Sequence, residues 1–225
     1  MRGTMIVSLA TAAAAALTVG VLAATAGNGT SGTTHAGHAT LSTSAQSVTR
    51  SDLRNTLNKL LGEHAIPAMN ATNMGVTGSK SFPAAAKALD RNSVELSKAI
   101  GSIYGNAAAK TFLDGKFQWR AHINFFVDYT VALAKKNKAG QNKAVANLTT
   151  YTKMHGAFLA GATGLPKLAV QNDLLGHVLE LKNQLDAYNA GNYTKAANLY
   201  RDAYAHMFMT GDLLSGAIAK QKSLR

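Results

Sequence analysis

The fold is decided by a helical stripe in residues 53–68, LRNTLNKLLGEHAIPA. Its apolar positions recur every three or four residues, the spacing that puts side chains on one face of an α-helix. The stripe consists of Leu53, Leu57, Leu60, Leu61, His64 and Ala68. A capping signal, Ser51-Asp52, precedes it, and Gly75 and Gly78 end it. We therefore predict a helix that begins near residue 50, with a kink at Pro67 just after His64.

The same periodicity recurs along the rest of the chain and predicts five more helices. They occupy about residues 83–104, 117–138, 142–162, the segment before Gly191 and the segment from about residue 199 onward. Gly140 is predicted to close the third helix, and a short turn is predicted at 107–113. Abundant alanine, sparse aromatic residues and only three prolines also favour helices over a sheet. We predict an all-α fold of about six helices.

The six predicted helices read as three copies of one helical hairpin. The first helices of the copies align on residues 61–64, 119–122 and 174–177, which end in His64, His122 and His177. The second helices align on residues 92–100, 155–163 and 210–218, where small residues recur at three- and four-residue intervals. Such residues let helix backbones approach closely. We predict that residues 50–225 form one domain of three αα-hairpins, arranged as a bundle or a short stack.

The beginning of the chain has the pattern of a signal peptide, residues 1–26. One Arg precedes an apolar run, and Ala24-Thr25-Ala26 before Gly27 has the small-x-small form that signal peptidase cleaves. Residues 27–49, rich in Gly, Ser and Thr, predict a flexible spacer. We expect a secreted or cell-envelope protein. It would be membrane-anchored if the apolar run, long enough to span a bilayer, is not cleaved.

The histidines are the residues that indicate a candidate metal site. Five histidines each lie on a different predicted helix, on or beside its apolar stripe, and helical bundles build metal sites by projecting imidazoles from facing helices. Asp173 precedes His177 by four residues, and Asp202 precedes His206 by the same interval, so each carboxylate could orient a ring or bind metal. The predicted metal ligands are His64, His122, His155, His177, His206, Asp173 and Asp202.

The identity of the ligand stays open at the level of sequence. Met69, Met154, Met207 and Met209 lie near three of the histidines, and thioether with imidazole suits Cu(I), while imidazole alone also suits zinc. A haem would need one or two axial histidines and a large apolar cavity. Alternatively, repeated hairpins would each inherit a histidine for packing or for a hydrogen bond between helices, with no ligand involved.

Charge supports a second functional reading. The chain has 23 basic and 11 acidic residues, a formal net charge of +12. The densest clusters are Lys135, Lys136, Lys138 and Lys143 and, at the C-terminus, Lys220, Lys222 and Arg225. An exported protein with this surface could bind anionic cell-wall polymers or a membrane surface as a basic structural protein. Base-reading motifs for specific nucleic-acid recognition are not evident, and the sequence does not predict an oligomeric state.

Catalytic motifs are missing from the sequence. It contains no Gly-x-Ser-x-Gly elbow, no His-Glu-x-x-His pair, no phosphate-binding loop and no cysteine. The absence of cysteine also excludes disulfides and lipoprotein anchoring. The Glu-x-x-His motif that two helices supply in di-iron bundles is absent as well. We therefore predict a binding protein rather than an enzyme.

Six segments spread over residues 51–221 carry a family resemblance: Leu60–His64, Ala88–Ser93, Ala99–Gly105, His122–Tyr129, Asp186–Tyr188 and Tyr204–Met207. They resemble a family of secreted helical proteins of Gram-positive bacteria that often carry a label borrowed from the copper amine oxidase N-terminal domain. The resemblance implies a tandem-hairpin fold and an extracytoplasmic place. It does not imply amine oxidation, which needs a Tyr in an Asn-Tyr-Asp/Glu context and three copper-binding histidines. Here Thr194 follows Asn192-Tyr193, and the sequence has no His-x-His pair.

Overall fold

The structure, a computed structural model, describes residues 48–225. Within this range the chain forms α-helices and no β-strand, which confirms the predicted all-α class. The helices are α1 (Arg50–Val76), α2 (Phe82–Tyr104), α3 (Asn106–Asp114), α4 (Trp119–Ala134), α5 (Lys138–Thr163), α6 (Lys167–Asn189) and α7 (Tyr193–Lys222). None of these helices is long and apolar enough to cross a membrane. The predicted signal peptide and most of the predicted spacer lie outside the described residues.

The start of α1 shows how local chemistry sets a helix boundary. The Asp52 amide donates to Thr49 Oγ1 and the Thr49 amide donates to Asp52 Oδ2, both at 3.1 Å, which is a capping box. Thr49, which the sequence placed in the spacer, therefore belongs to the helical domain. The Arg50 amide also donates to the Arg225 carbonyl at 2.9 Å, so the two ends of this domain meet. The helix continues through Pro67, whose ring nitrogen has no hydrogen to donate.

The boundary between α4 and α5 differs from the prediction. Gly140 does not close a helix, because it lies in the first turn of α5 and its amide donates to the Asn137 side chain at 3.0 Å. Asn137 caps α5, and the preceding helix ends at Ala134, before Lys136 adopts a φ of 54°. A strong capping residue thus outweighs the helix-breaking tendency of the glycine that follows it.

Three helical hairpins form the domain, as the repeat predicts. The antiparallel neighbours are α1 with α2, α4 with α5 and α6 with α7, while the short α3 lies where a turn was predicted and packs against α2. Helix α1 also packs against α4, α6 and α7, so it is the central helix of the bundle. The first helices of all three hairpins therefore meet in the interior.

Two glycines of the aligned second helices allow close approach between neighbours. A Cβ atom on Gly156 would lie 3.0 Å from the Cα atom of Gln171 in α6, and one on Gly211 would lie 2.0 Å from Asn58 Oδ1 in α1. Gly161 and Gly216, one or two turns further along, meet nothing within 4 Å. Close helix packing through small residues is therefore confirmed at the first pair of positions and not at the second.

Buried aliphatic side chains from every hairpin form the core around these helices. Leu57, Leu96, Leu148, Leu185 and Ile218 are each at most 2% exposed. Burying a side chain of this size contributes roughly 1.5–3 kcal/mol. A core of this kind makes the four buried polar imidazoles described below conspicuous, because each lies in surroundings that offer few hydrogen-bond partners.

Candidate functional site

The three histidines that align in the repeat meet at the centre of the bundle. His64 of α1, His122 of α4 and His177 of α6 are 1%, 2% and 5% exposed. The Nε2 atoms of His64 and His122 face each other at 3.4 Å, and the ring centres of His64 and His177 are 6.0 Å apart. We call these three residues the central histidine cluster. The first helix of each hairpin thus contributes one buried imidazole to the centre of the bundle.

The central histidine cluster is poor in hydrogen bonds. Within residues 48–225, Nδ1 of His64, Nδ1 of His122 and both ring nitrogens of His177 have no hydrogen-bond partner. Buried polar atoms in folded proteins are almost always paired, because an unpaired one forfeits the hydrogen bond that it makes with water when unfolded. The unpaired Nδ1 atoms of His64 and His122 and the two unpaired nitrogens of His177 are therefore unusual for a packed core.

Burial keeps these imidazoles neutral. Desolvation lowers the pKa of His64 to about 4, an effect that the Asn92 side chain opposes in part. The pKa values of His122 and His177 lie well below the usual range, first because of burial and second because of repulsion from the neighbouring imidazoles. At neutral pH each ring therefore carries one nitrogen lone pair that is free of protons.

Aromatic rings surround the central histidine cluster. The Trp119 ring lies 4.8 Å from the rings of both His64 and His122, and its indole Nε1 donates to Ser93 Oγ at 3.2 Å. Tyr151 stacks on His122 at 4.6 Å. Since Trp119 is the sole tryptophan in the sequence, its fluorescence reports directly on this part of the core.

The aligned second helices also contribute one residue each to the surroundings. The Asn92 side chain of α2 raises the pKa of His64, and His155 of α5 lowers the pKa of His122. Thr210 of α7 lines a small cavity together with His177. These three residues occupy the first position of their respective aligned segments. The repeat therefore extends beyond the imidazoles to the residues that surround them. The repeat in the sequence aligns these positions but indicates no role for Asn92 or Thr210.

His155 stands apart from the central histidine cluster. It is fully buried, and Tyr151 separates it from His122 by stacking on both rings. Its Nδ1 is hydrogen-bonded to Gln118 Oε1, while its Nε2 has no partner in the described part of the chain. Desolvation lowers its pKa to about 3. Of the five predicted histidines, this one is held by an amide instead of sharing a point with the others.

His206 is held by carboxylates from α6. Its Nδ1 lies 2.9 Å from Glu180 Oε2 and its Nε2 lies 3.3 Å from Asp173 Oδ1, and Thr210 Oγ1 donates to Asp173 Oδ2 at 2.9 Å. The bond to Asp173, with the charges of both acids, raises the pKa of His206 above its usual value. Because the two acids occupy opposite nitrogens of the ring, they do not share a common point with it.

The two carboxylate–histidine pairs predicted within single helices are wrong. Asp173 bonds His206 and Thr210 of α7 instead of His177, whose nitrogens have no partner among residues 48–225. Asp202 is exposed, and the carboxylates at His206 come from the neighbouring helix. The i,i+4 rule identifies groups on one face of a helix, but contacts between facing helices decide which groups meet. Glu180 is the partner that sequence reasoning missed.

Two of the four methionines near the histidines are buried and two are exposed. Met69 and Met207 are buried at 2% exposure, whereas Met154 and Met209 are 51% and 62% exposed. Met207 lines the same small cavity as His122 and His177. One of the four predicted thioether ligands therefore lies beside the central histidine cluster.

Two apolar cavities flank His122. One is bordered by His64 and His122, and the other by His122, His177, Tyr151 and Met207. Each has a volume of about 30 Å³, measured to the centre of a water-sized sphere. This is room for about one water molecule or a metal ion and far too little for a haem.

In the central histidine cluster, His64 and His122 are already spaced as two metal ligands, and His177 lies nearby as a third. Among the described residues, no group of three or more His, Asp or Glu side chains is already placed to hold a metal ion. The Nε2 atoms of His64 and His122 are adjacent. The His177 ring centre lies 6.0 Å from that of His64, and neither of its nitrogens has a partner in the described residues. A metal would therefore have to draw the His177 ring toward the other two.

Comparisons with models of protein families, with characterised proteins and with solved structures found no match to this chain.

Proposed function

We propose that the protein is a secreted or cell-envelope helical protein that binds a transition metal through His64, His122 and His177. The observation that carries the proposal is the meeting of three buried, neutral imidazoles: Nε2 of His64 and Nε2 of His122 face each other at 3.4 Å, and neither nitrogen of His177 has a partner in residues 48–225. A histidine retained only for packing would normally have its nitrogens satisfied. A metal ion held by Nε2 of His64, Nε2 of His122 and one nitrogen of His177 would use three imidazole lone pairs at once.

The distance between the two facing nitrogens fits shared coordination. Imidazole nitrogens bind zinc at about 2.0–2.1 Å, so two ligands at a tetrahedral angle are separated by about 3.3–3.4 Å. His64 Nε2 and His122 Nε2 are 3.4 Å apart. This is longer than the usual N–H donor distance of about 2.9–3.0 Å. The separation of the two Nε2 atoms therefore matches shared metal coordination more closely than it matches a hydrogen bond.

His177 can join the pair without breaking another interaction. Both of its nitrogens lack partners in the described part of the protein, and it borders the cavity next to His122. Turning its ring therefore forfeits no hydrogen bond. The Asn92 side chain, whose Oδ1 is also buried and unpaired within residues 48–225, interacts with His64 and would orient that ring when a metal is bound.

The chemistry of the cluster favours copper(I) among the metals that bind imidazole. Calcium and magnesium prefer oxygen ligands, and the central histidine cluster contributes only nitrogen. The cluster is uncharged, and the penalty for burying an ion rises with the square of its charge, so a monovalent ion is less costly than a divalent one. The Met207 thioether beside His122 and His177 is a ligand that soft Cu(I) prefers.

Anaerobic titration of the metal-free domain with Cu(I) and, separately, with Zn(II) tests this function. Trp119 emission should change with one equivalent of Cu(I), because the indole lies 4.8 Å from two of the ligand rings. Cu(I) should bind more tightly than Zn(II). His122→Asn should abolish stoichiometric binding, since it removes the ligand that both cavities share.

His206→Asn is the matched control, because it also removes a helix imidazole but one that is held by Asp173 and Glu180. It should leave the affinity for copper within about twofold. Far-UV circular dichroism and a cooperative melting curve establish that both variants fold. The proposal fails if the folded wild-type protein binds neither metal, or if His206→Asn abolishes binding and His122→Asn does not.

A basic envelope-associated protein is the second candidate, favoured by one surface feature. Lys135, Lys136, Lys138 and Lys143 are all exposed at the turn between α4 and α5. Together with a net charge of +12, they favour binding to anionic polymers or lipids. This function needs no metal, so the two candidates are tested separately.

A further inference from the structure

We propose that a groove between α1, α6 and α7 binds a neutral saccharide. The groove is separate from the central histidine cluster and lies where α7 follows the turn at Gly191. Its volume is about 210 Å³, measured to the centre of a water-sized sphere, which is seven times that of either cavity in the core. This is somewhat smaller than the roughly 300 Å³ at which pockets for drug-sized ligands begin, so it suits about one sugar ring.

The lining combines aromatic rings with amides and carries no charge among the described residues. Three tyrosines, three amide side chains and three small or apolar side chains line the groove. The lining residues are Met69, Asn70, Asn73, Gln184, Tyr188, Tyr193, Ala196, Ala197 and Tyr200. A ligand that matches this lining is neutral, has an apolar face that packs on phenol rings, and has several hydroxyl groups for the amides. A pyranose ring has all three properties.

Tyr193 provides an exposed aromatic face at the rim. It is 62% exposed, and its ring lies 5.3 Å from that of Tyr188 in an edge-to-face arrangement. Because Tyr193 is mostly exposed, it can stack on a ligand without loss of core contacts. Tyr188, Tyr193 and Tyr200 together present three phenols to one ligand.

Gln184 supplies the observation that points to a hydroxyl-bearing ligand. It is 3% exposed and lines the groove, and its Nε2 donates to Asn73 Oδ1 at 3.3 Å. Its Oε1 is covered and has no partner within residues 48–225, so a hydroxyl in the groove would donate to it once the amide turns toward the groove. Sugar hydroxyls donate hydrogen bonds, whereas proline-rich peptides, which also dock in tyrosine-lined grooves, offer mainly carbonyl acceptors. The unpaired acceptor therefore favours a saccharide over such a peptide.

NMR titration of the metal-free ¹⁵N-labelled domain tests this site without depending on the metal. The probes are chitotriose and cellotriose, with decaproline as the competing ligand class. We expect saturable shifts from at least one trisaccharide at the side-chain amides of Asn70, Asn73 and Gln184. Tyr193→Ala should weaken the binding at least about tenfold, the change that corresponds to loss of a good stacking contact.

Tyr204→Ala is the matched control, since Tyr204 is an exposed tyrosine of α7 that does not line the groove. It should change the saccharide affinity by less than about twofold. Because Tyr193 is mostly exposed, its replacement should leave the fold intact, which the amide spectrum reports directly. The proposal is overturned if neither sugar gives saturable shifts, if only decaproline binds, or if Tyr193→Ala and Tyr204→Ala have equal effects.

Discussion

Lowering the pH from 7 to 5 should destabilise the metal-free protein, because the buried imidazoles must take up protons when the chain unfolds. The folded-state pKa of His64 is about 4 and that of His155 is about 3, against about 6.5 in the unfolded chain. Below pH 6.5 the unfolded state therefore binds more protons than the folded state. The stability that neutral His64 and His155 contribute is complete above pH 6.5 and is lost as the pH falls toward the folded-state values.

The magnitude follows from these pKa values. Each of His64 and His155 should lose about 2 kcal/mol of its contribution between pH 7 and pH 5, or about 4 kcal/mol together. His122 and His177 act in the same direction. The raised pKa of His206 has the opposite sign, because its contribution is complete below pH 6.5 and is lost as the pH rises above it. The net loss is a large part of the roughly 5–15 kcal/mol that usually stabilises a domain.

Urea unfolding at pH 7 and pH 5, followed by circular dichroism, measures this effect. With an m-value of about 2 kcal/mol/M, the midpoint should fall by at least roughly 2 M. In His155→Gln, which retains an amide for Gln118, the loss between the two pH values should be smaller by about 2 kcal/mol, whatever its stability at pH 7. A wild-type loss below about 1 kcal/mol would refute the conclusion that these imidazoles are buried and neutral.

Two further substitution experiments test the packing and the basic surface. Gly211→Ala should destabilise the fold by about 1–3 kcal/mol, because its Cβ would clash with Asn58, whereas Gly216→Ala, on the same helix with open space around it, should stabilise by about 0.5–1 kcal/mol; changes of the same sign in urea unfolding would contradict this packing. Replacing the four lysines at the α4–α5 turn by Glu should abolish salt-sensitive binding to phosphatidylglycerol vesicles, more than the same replacement at four dispersed exposed lysines does. Equal losses would show that net charge alone is responsible. The dispersed control positions are Lys80, Lys98, Lys110 and Lys167.

The sequence predicts the fold, and its repeat alignment groups the three residues of the central histidine cluster, for one physical reason. Residues that are equivalent in repeated hairpins occupy equivalent depths when the hairpins pack around a shared core. His64, His122 and His177 end the three aligned segments of the first helices, and the structure brings these three rings together. Periodicity alone would have identified them as buried without indicating that they meet.

The contacts between facing helices could not be predicted from spacing along one helix. Asp173 is hydrogen-bonded to His206, 33 residues away, instead of to His177 on its own helix. Glu180 is hydrogen-bonded to the other ring nitrogen of His206. The tyrosine groove was missed for a similar reason. Tyr193 and Tyr200 share a face of α7 at a seven-residue interval, but Tyr188 joins them only because the turn at Gly191 reverses the chain.

The most direct test of the metal-binding proposal is the anomalous-difference density of a crystal of the copper-loaded protein. We predict one strong peak within about 2.0–2.2 Å of the Nε2 atoms of His64 and His122, with the His177 ring turned toward it. A peak at His206 and Asp173 instead, or a fully ordered core in which His64 and His122 still bond each other and no metal lies between them, would contradict it.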